Sequence, residues 1–394
     1  MSARRGEGCA VCGGRDFETI HRQEFLLPGD LLTHYDVIGC LDCGFAFADD
    51  LPSPDDYEVY YRNSRKYTYE GSQNGAVNLE AVHRGSFEFV DGFLASHSAP
   101  GTRRAARVLD VGCATGQFLS FFAHSGYGAA LGLDPAPECL ELGRDLYGVT
   151  IETAPLSAFH SKDPFDVVLL ASVLEHLPDP VTSLAQVAEL VAPDGLLFVQ
   201  VPDAARFGTA MKEPFLEFSV EHVNYFTIES LRRMMGLAAF VEAASRTDDL
   251  LYNGTCYPAI TSLWRPGTFE ARDLPRADLT PLRAYVQRSR ERLAEVADRI
   301  DTLAATREPV VVWGVGSLTA RLLATTNLSH INIVGFVDSN SSLHGRRVLG
   351  LPIEPPAVLA GRPVTVLVSS FVYGDAIRRT LVEEMAHGGR IILL

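Results

Sequence analysis

Two stretches of this chain repeat one plan: a short apolar run, a glycine turn, a helix, then a second apolar run ending in aspartate. In the first, Arg107-Val-Leu-Asp-Val leads into Gly112-Cys-Ala114-Thr-Gly116, a helix opens at Gln117, and Ala129-Ala-Leu-Gly-Leu-Asp134 follows. In the second, Val310-Val-Val-Trp enters Gly314-Val-Gly316, and Ile333-Val-Gly-Phe-Val-Asp338 closes the unit. Short apolar runs alternating with helices imply parallel sheets with helices on both faces. Further runs at Phe165–Leu170, Leu196–Val201 and Val364–Ser370 extend the two units. The expected fold class is α/β, with a Rossmann-like domain and a second, smaller Rossmann-like domain after it.

The 394 residues divide on this pattern into four parts. Residues 1–75 form a small cysteine-bearing module, and residues 76–265 hold the first α/β unit. A Pro/Asp-rich linker covers 266–280, and residues 281–394 begin with a long helix and hold the second unit. That helix is read from Leu282, Tyr285, Val286, Leu293, Val296, Ile300 and Leu303, which recur mostly at three- and four-residue steps before Glu308-Pro309. Lys plus Arg is 34 and Asp plus Glu is 49, for a net charge of −15. So acidic a chain lacks the basic footprint of a nucleic-acid binder, and no nucleic-acid target is expected. No apolar run reaches the ~18–20 residues of a membrane span, and no secretory signal is visible. A cytoplasmic protein, monomeric or weakly self-associating, is expected.

Four of the seven cysteines fall in the first 43 residues, as Cys9-x2-Cys12 and Cys40-x2-Cys43 with 27 residues between the pairs. Tetrahedral Zn(II) favours thiolates, and a Cys-x2-Cys turn presents two sulfurs to one ion. Gly13-Gly14 and Gly44 follow the pairs and let the backbone turn towards the sulfurs. Four thiolates leave no open coordination position, so the zinc is expected to be structural. The alternatives are four free thiols and an iron–sulfur centre.

Asp110-Val-Gly112-Cys-Ala114-Thr-Gly116, between a strand and a helix, resembles the first motif of class I S-adenosylmethionine-dependent methyltransferases, with Ala114 in place of a middle glycine. The spacing differs from the Gly-x-Gly-x-x-Gly of NAD sites. Phe165-Asp-Val-Val-Leu-Leu-Ala171-Ser-Val-Leu-Glu175-His176 resembles the segment where the fourth strand of those enzymes meets its helix, and Leu190-Val-Ala-Pro-Asp-Gly195 resembles the turn before their fifth strand. The resemblance implies that the turn approaches the methionine part of the cofactor and that Asp110 orients the turn or binds the amino group. It also implies that Asp134 accepts from the ribose hydroxyls. Pro135, Pro155, Leu156 and Ala171 complete the expected cofactor contacts. Ala154-Pro155-Leu156 offers no acid to adenine, which leaves backbone and apolar contact to hold it. Glu175-His176 is expected to be a cofactor-pocket wall or a helix-start contact, with direct chemistry by the pair as the alternative.

Glu221-His222-Val-Asn224-Tyr225-Phe226-Thr227 reads in one way as a polar turn before a helix N-capped by Thr227. In the other reading it concentrates acid/base groups where substrate meets the methyl donor. On this motif, with the four cysteines ahead and the second α/β unit behind, the chain resembles the sugar C-methyltransferases of deoxysugar biosynthesis over nearly its whole length. Those enzymes join a zinc module, a donor domain and a Rossmann-like domain that helps hold the nucleotide-diphosphate part of the substrate. Tyr67-Thr-Tyr69-Glu-Gly-Ser72 corresponds to their tyrosine-rich active-site segment. Departures fall on the substrate side: Ser219 for a tyrosine, Gly71-Ser72 for paired serines, Ser370-Phe371 for Trp-Asn, and Arg321 for a lysine.

The resemblance implies abstraction of a proton from carbon beside a carbonyl, then attack of the enolate carbon on the donor methyl. His222 is the candidate base, and Glu221 would orient it or stabilise its imidazolium if their side chains meet. Tyr67, Tyr69 or Tyr225 would donate to the enolate oxygen, and Asn224 would position substrate. A nucleotide-linked sugar is anionic, so in one reading the helix end near Gly316, with Arg321, meets it; in the other, Gly314-x-Gly316 is a tight strand–helix turn with no ligand. The alternatives are O- or N-methylation of another small metabolite and a non-catalytic S-adenosylmethionine-binding scaffold.

Overall fold

The computed structural model describes residues 8–26, 31–63, 80–97, 105–252, 255–268 and 275–394. Strands β1 (Phe17–Glu24), β2 (His34–Cys40) and β3 (Ala46–Asp49) pair antiparallel in sequence order. Helix α1 (Pro54–Arg62) follows, started by a capping box between Ser53 and Asp56. Its Tyr57, Tyr60 and Tyr61, at three- and four-residue spacing, share one face. Helix α2 (Glu80–His97) packs on the helix that opens the next unit.

That unit runs through β4 (Arg107–Val111), α3 (Gln117–His124), β5 (Ala129–Asp134), β6 (Thr150–Thr153), β7 (Phe165–Ala171), α4 (Pro180–Leu190) and β8 (Val191–Pro202). The two-residue strand β9 (Asn224–Tyr225) then leaves it and pairs with β3 of the first sheet. After α5 (Ile228–Leu237), β10 (Phe240–Tyr252) and β11 (Thr255–Pro266) return to complete a seven-stranded sheet of order β10-β11-β8-β7-β4-β5-β6. Strands β6, β5, β4, β7 and β8 are parallel, while β11 runs against β8 and β10 runs against β11, so the sheet is mixed rather than purely parallel. The chain winds one way from β4 to β6 and the other way from β7 to β8. The crevice between the ends of β4 and β7 is therefore the switch point where ligands of such sheets sit. The expected turn at 190–195 is a bulge inside β8, where the register with β7 slips between Phe165 and Val167.

Helix α6 (Thr280–Thr306) leads to β12 (Val310–Trp313), α7 (Ser317–Thr325), β13 (Ile333–Val337), β14 (Arg347–Val348), β15 (Leu351–Glu354), β16 (Thr365–Val368), α8 (Gly374–Arg379) and β17 (Ile391–Leu393). The sheet order is β14-β15-β13-β12-β16-β17, parallel except for β14, with the winding reversed between β12 and β16. Helix α6 serves two cores. Leu282, Tyr285 and Val286 join Phe25, Tyr35, Phe215 and Phe218 beside the first sheet, while Val296, Ile300 and Leu303 join Val310, Val312 and Phe336 under the third. Among the described residues, no helix is long and apolar enough to cross a membrane.

Candidate active site

The four cysteines of the two pairs converge. Their sulfurs all lie within 4.8 Å of one another, with Cys9–Cys43 and Cys12–Cys40 each at 3.6 Å. Cys9, Cys40 and Cys43 are buried and Cys12 is exposed. The Gly14 N–H donates to Cys12 Sγ at 3.4 Å, the bond expected of a sulfur carrying negative charge. Gly44 cannot be replaced cheaply: its φ is +80°, and a Cβ there would lie 2.0 Å from the Ala277 carbonyl oxygen. Four soft donors in a closed cluster fit a tetrahedral thiophilic ion.

At the sheet switch point, Gly112 (φ +68°), Ala114 (φ +46°) and Gly116 (φ +76°) curl the chain from β4 into α3. A Cβ on Gly112 would meet Val173 at 2.7 Å. Asp134 ties this turn to β5: one carboxylate oxygen accepts from Ala114 N–H and the other from Ala136 N–H, both at 2.9 Å. Burial pushes the Asp134 carboxyl up, against those two bonds. Asp110 lies wholly inside, and burial, then the charge of Asp134, pushes it well above the ordinary range. Pro135 follows Asp134, Ala171 ends β7, and Pro155 and Leu156 start a short 3-10 turn after β6. Each of these elements ends on the same side of the parallel strands as the turn.

The second half of the site is a pair of histidines. His222 and His176 stack edge to face, with ring centroids 4.7 Å apart. His222 Nδ1 lies 2.9 Å from Glu217 Oε2, so the imidazole donates there and keeps Nε2 for proton transfer. Burial draws the His222 pKa down. The bond to Glu217 and the charges of Glu217, Glu175 and Glu221 outweigh it, and the net shift is upward. His176 Nδ1 is 3.1 Å from the Tyr61 hydroxyl. Glu175 is 1% exposed, and among the described residues neither of its carboxylate oxygens has a hydrogen-bond partner.

This geometry corrects several expectations. Glu217, five residues before His222, orients it; Glu221 accepts from the Tyr60 hydroxyl at 2.9 Å and acts on His222 through its charge alone. Asn224 is buried and donates to the Leu174 and Leu177 carbonyls at 3.0 and 2.8 Å, so it holds the Glu175-His176 turn rather than a ligand. The Tyr225 hydroxyl is buried and spent on the His222 carbonyl and on Tyr35. Thr227 caps α5, in a capping box with Ser230. Tyr67 and Tyr69 lie outside the described residues; among the described ones, Tyr60 and Tyr61 of α1 hydrogen-bond to this cluster. Their signal was the Tyr57-x2-Tyr60-Tyr61 spacing, which the reading by motifs passed over.

Arg321 does not face a ligand. It is 1% exposed, and its guanidinium donates to Gln23 Oε1 and to the carbonyls of Pro214, Phe215 and Phe218 at 2.8–3.3 Å. In the turn after β12, Asp338 repeats the device of Asp134: its carboxylate accepts from Val315 N–H and Asn340 N–H, both at 2.7 Å.

With this geometry, residues 83–241 match the family model described as a methyltransferase domain. That segment is a methyltransferase domain of the S-adenosylmethionine-dependent class. The C-methyltransferase NovU of Streptomyces niveus is 25% identical over 426 aligned residues, 98% of this chain and 94% of its own. The trans-aconitate 2-methyltransferase of Methylobacterium nodulans is 38% identical over 100 residues, 25% of this chain. The chain spans 39% of that relative and 47% of the ubiquinone biosynthesis O-methyltransferase of Neisseria meningitidis, which is 33% identical over 119 residues. A crystal structure of the Burkholderia thailandensis 1,6-didemethyltoxoflavin N1-methyltransferase, 22% identical, covers 57% of this chain and 97% of its own at a TM-score of 0.42.

Proposed function

We propose that the chain is an S-adenosylmethionine-dependent C-methyltransferase that methylates a carbon next to a carbonyl, in a nucleotide-linked keto-deoxysugar or a related small molecule. The observation that carries this reading is the end-to-end likeness to a C-methyltransferase, which takes in the cysteine module, the donor domain and the C-terminal unit. The O-methyltransferase relative matches 28% of the chain, so O- or N-methylation draws on part of the molecule only. Zinc, held by Cys9, Cys12, Cys40 and Cys43, has a structural role in this reading. The donor supplies an electrophilic methyl, held by the Gly112–Gly116 turn, by Asp110 and Asp134, and by the walls at Pro135, Pro155, Leu156 and Ala171. Each Asp134 oxygen keeps a lone pair for a ribose hydroxyl beside the backbone bond it accepts.

His222 takes the proton from carbon through Nε2, while Glu217 holds the ring and stabilises the imidazolium. The electron pair left on carbon delocalises onto the carbonyl oxygen and then forms the new bond to methyl, releasing S-adenosylhomocysteine. An acidic C–H is essential to this chemistry. Incubation with methyl-labelled S-adenosylmethionine and nucleotide-linked keto-sugars should place the label on carbon by NMR; label on oxygen or nitrogen rejects the reading. Tight donor binding with no S-adenosylhomocysteine from any substrate would favour a non-catalytic scaffold. His222→Asn should keep donor binding in calorimetry and lose at least ~100-fold in turnover.

A further inference from the structure

Glu175 stands out because its buried carboxyl has no hydrogen-bond partner among the described residues. Burying a carboxyl without a hydrogen-bond partner costs free energy, and proteins rarely tolerate it except where the group is used. The group is also held in place. The backbone carbonyl of Glu175 accepts from Val223 N–H at 2.8 Å, and Asn224 donates to the carbonyls on either side of the 175–176 pair. These bonds pin the turn that carries Glu175 to the segment that carries His222. A carboxylate oxygen of Glu175, a ring nitrogen of His176 and a ring nitrogen of His222 all lie within 4.8 Å of one another. Glu175 Oε1 and His176 Nε2 are 3.8 Å apart.

We propose that Glu175 is a positioning residue of the reaction, the counter-charge that stabilises His222 once it has taken the substrate proton, with His176 beside both. This rests on the C-methylation reading for its chemical purpose, though not for its test. The C–H bond breaks, the proton moves to His222 Nε2, and the pair on carbon goes to the methyl. The imidazolium then faces the Glu217 carboxylate on one side and Glu175 on the other. Burial pushes the Glu175 carboxyl up to about 7, against the charge of His222, so its charge state changes near working pH. The groups facing the pair are His176 on the same turn, Glu217 and Glu221 on the His222 segment, and Tyr60 and Tyr61 from α1.

Such a pair is coupled reciprocally: each group shifts the other's titration by the same amount. The test is an NMR titration of the full chain with zinc present and no substrate, following 15N-labelled histidine and the 13C-labelled glutamate side-chain carboxyl. In Glu175→Gln the His222 midpoint should fall by about one unit, and in His222→Asn the Glu175 midpoint should rise by a matching amount. Since a buried carboxylate costs stability as pH rises through 4.5 to 7, Glu175→Gln should also raise the denaturation midpoint at pH 8. A purely structural glutamate gives the opposite: a lower midpoint and an unmoved His222. Either of those results, or a Glu175 midpoint indifferent to His222→Asn, overturns the proposal. The wild-type Glu175 titration and its shift in His222→Asn stand even if Glu175→Gln does not fold. Coupling without methyl transfer to any keto-sugar would reject the C-methylation reading and leave the coupling intact. With an accepted substrate, Glu175→Gln should lower kcat at least ~10-fold at unchanged KM for S-adenosylmethionine, and Glu175→Asp should recover part of it.

Discussion

Glu221 and His222 are neighbours in the chain but hydrogen-bond to different groups. The chain bends at 218–221, with the Glu221 and His222 N–H groups both donating to Ser219 Oγ, and Glu221 turns to Tyr60 while His222 turns to Glu217. The acid that matters is five residues upstream, a spacing no local motif announces because the loop from 213 to 222 folds back on itself. The consequence is a pH dependence with a definite sign. Glu217 and the other carboxylates hold the His222 pKa above its ordinary value, so the folded state favours imidazolium. That contribution to stability is complete below the unfolded value of about 6.5 and is lost as pH rises through the raised value. A base must be neutral, so turnover should climb with pH on a limb above 6.5. Glu217→Gln should move that limb down by about one unit, because it removes the largest upward cause. A pH–rate profile of wild type and variant checks this; an unmoved limb would mean that another group titrates in turnover.

At the scale of elements, the sequence made the strand-turn-helix units plain, because short β-branched runs and glycine turns are local signals. Gly112, Gly116 and Gly314 all take the positive φ that their turns require. What local signals could not convey is where β9 goes. Asn224-Tyr225 lies between a strand and a helix of one sheet, yet it pairs with Ala46-Phe47 of another. The cysteine cluster sits at the root of that pairing, since Cys40 ends β2 and Cys43 leads into β3. Ala277 N–H also donates to the Cys43 carbonyl, at 2.9 Å. Ion removal should therefore loosen the strand that carries the His222 segment. Chelation should release about one zinc per chain and weaken donor-independent protection of amides in β2, β3 and β9 together. Gly44→Ala should have a similar local effect with the cysteines intact, at roughly 2–4 kcal/mol, from positive φ and collision with Ala277. Hydrogen exchange on both samples tests the link, and loss confined to the cysteine turns would break it.

For the whole molecule, three sheets suggest three folding units, but the contacts that join them argue otherwise. Arg321 starts on α7 of the third unit and reaches Gln23 of the first sheet and three carbonyls of the loop leading to His222. Arg321 stands where the resemblance has a lysine, which is why it is expected to meet an anion; a long side chain that runs into a core leaves no sequence signature. Tyr35 donates from the first sheet to the Ser219 carbonyl, and the Tyr285 hydroxyl of α6 accepts from Glu217 N–H. Apart from the bond to Gln23, every one of these bonds ends on the 213–222 loop, which carries both Glu217 and His222. The geometry of the candidate base is thus fixed by groups from all three units. A chain built this way should unfold in one cooperative calorimetric transition, with chelation and donor each shifting it as a whole. Arg321→Ala leaves three buried carbonyls short of a donor and Glu213 without its nearby positive charge, and should cost roughly 3 kcal/mol. It should also cut turnover, although Arg321 touches no reacting group, because the loop it holds sets the distance from Glu217 to His222. Separate transitions for the C-terminal unit and the rest, or an Arg321→Ala enzyme with normal turnover, would show that the loop keeps its shape without the third unit.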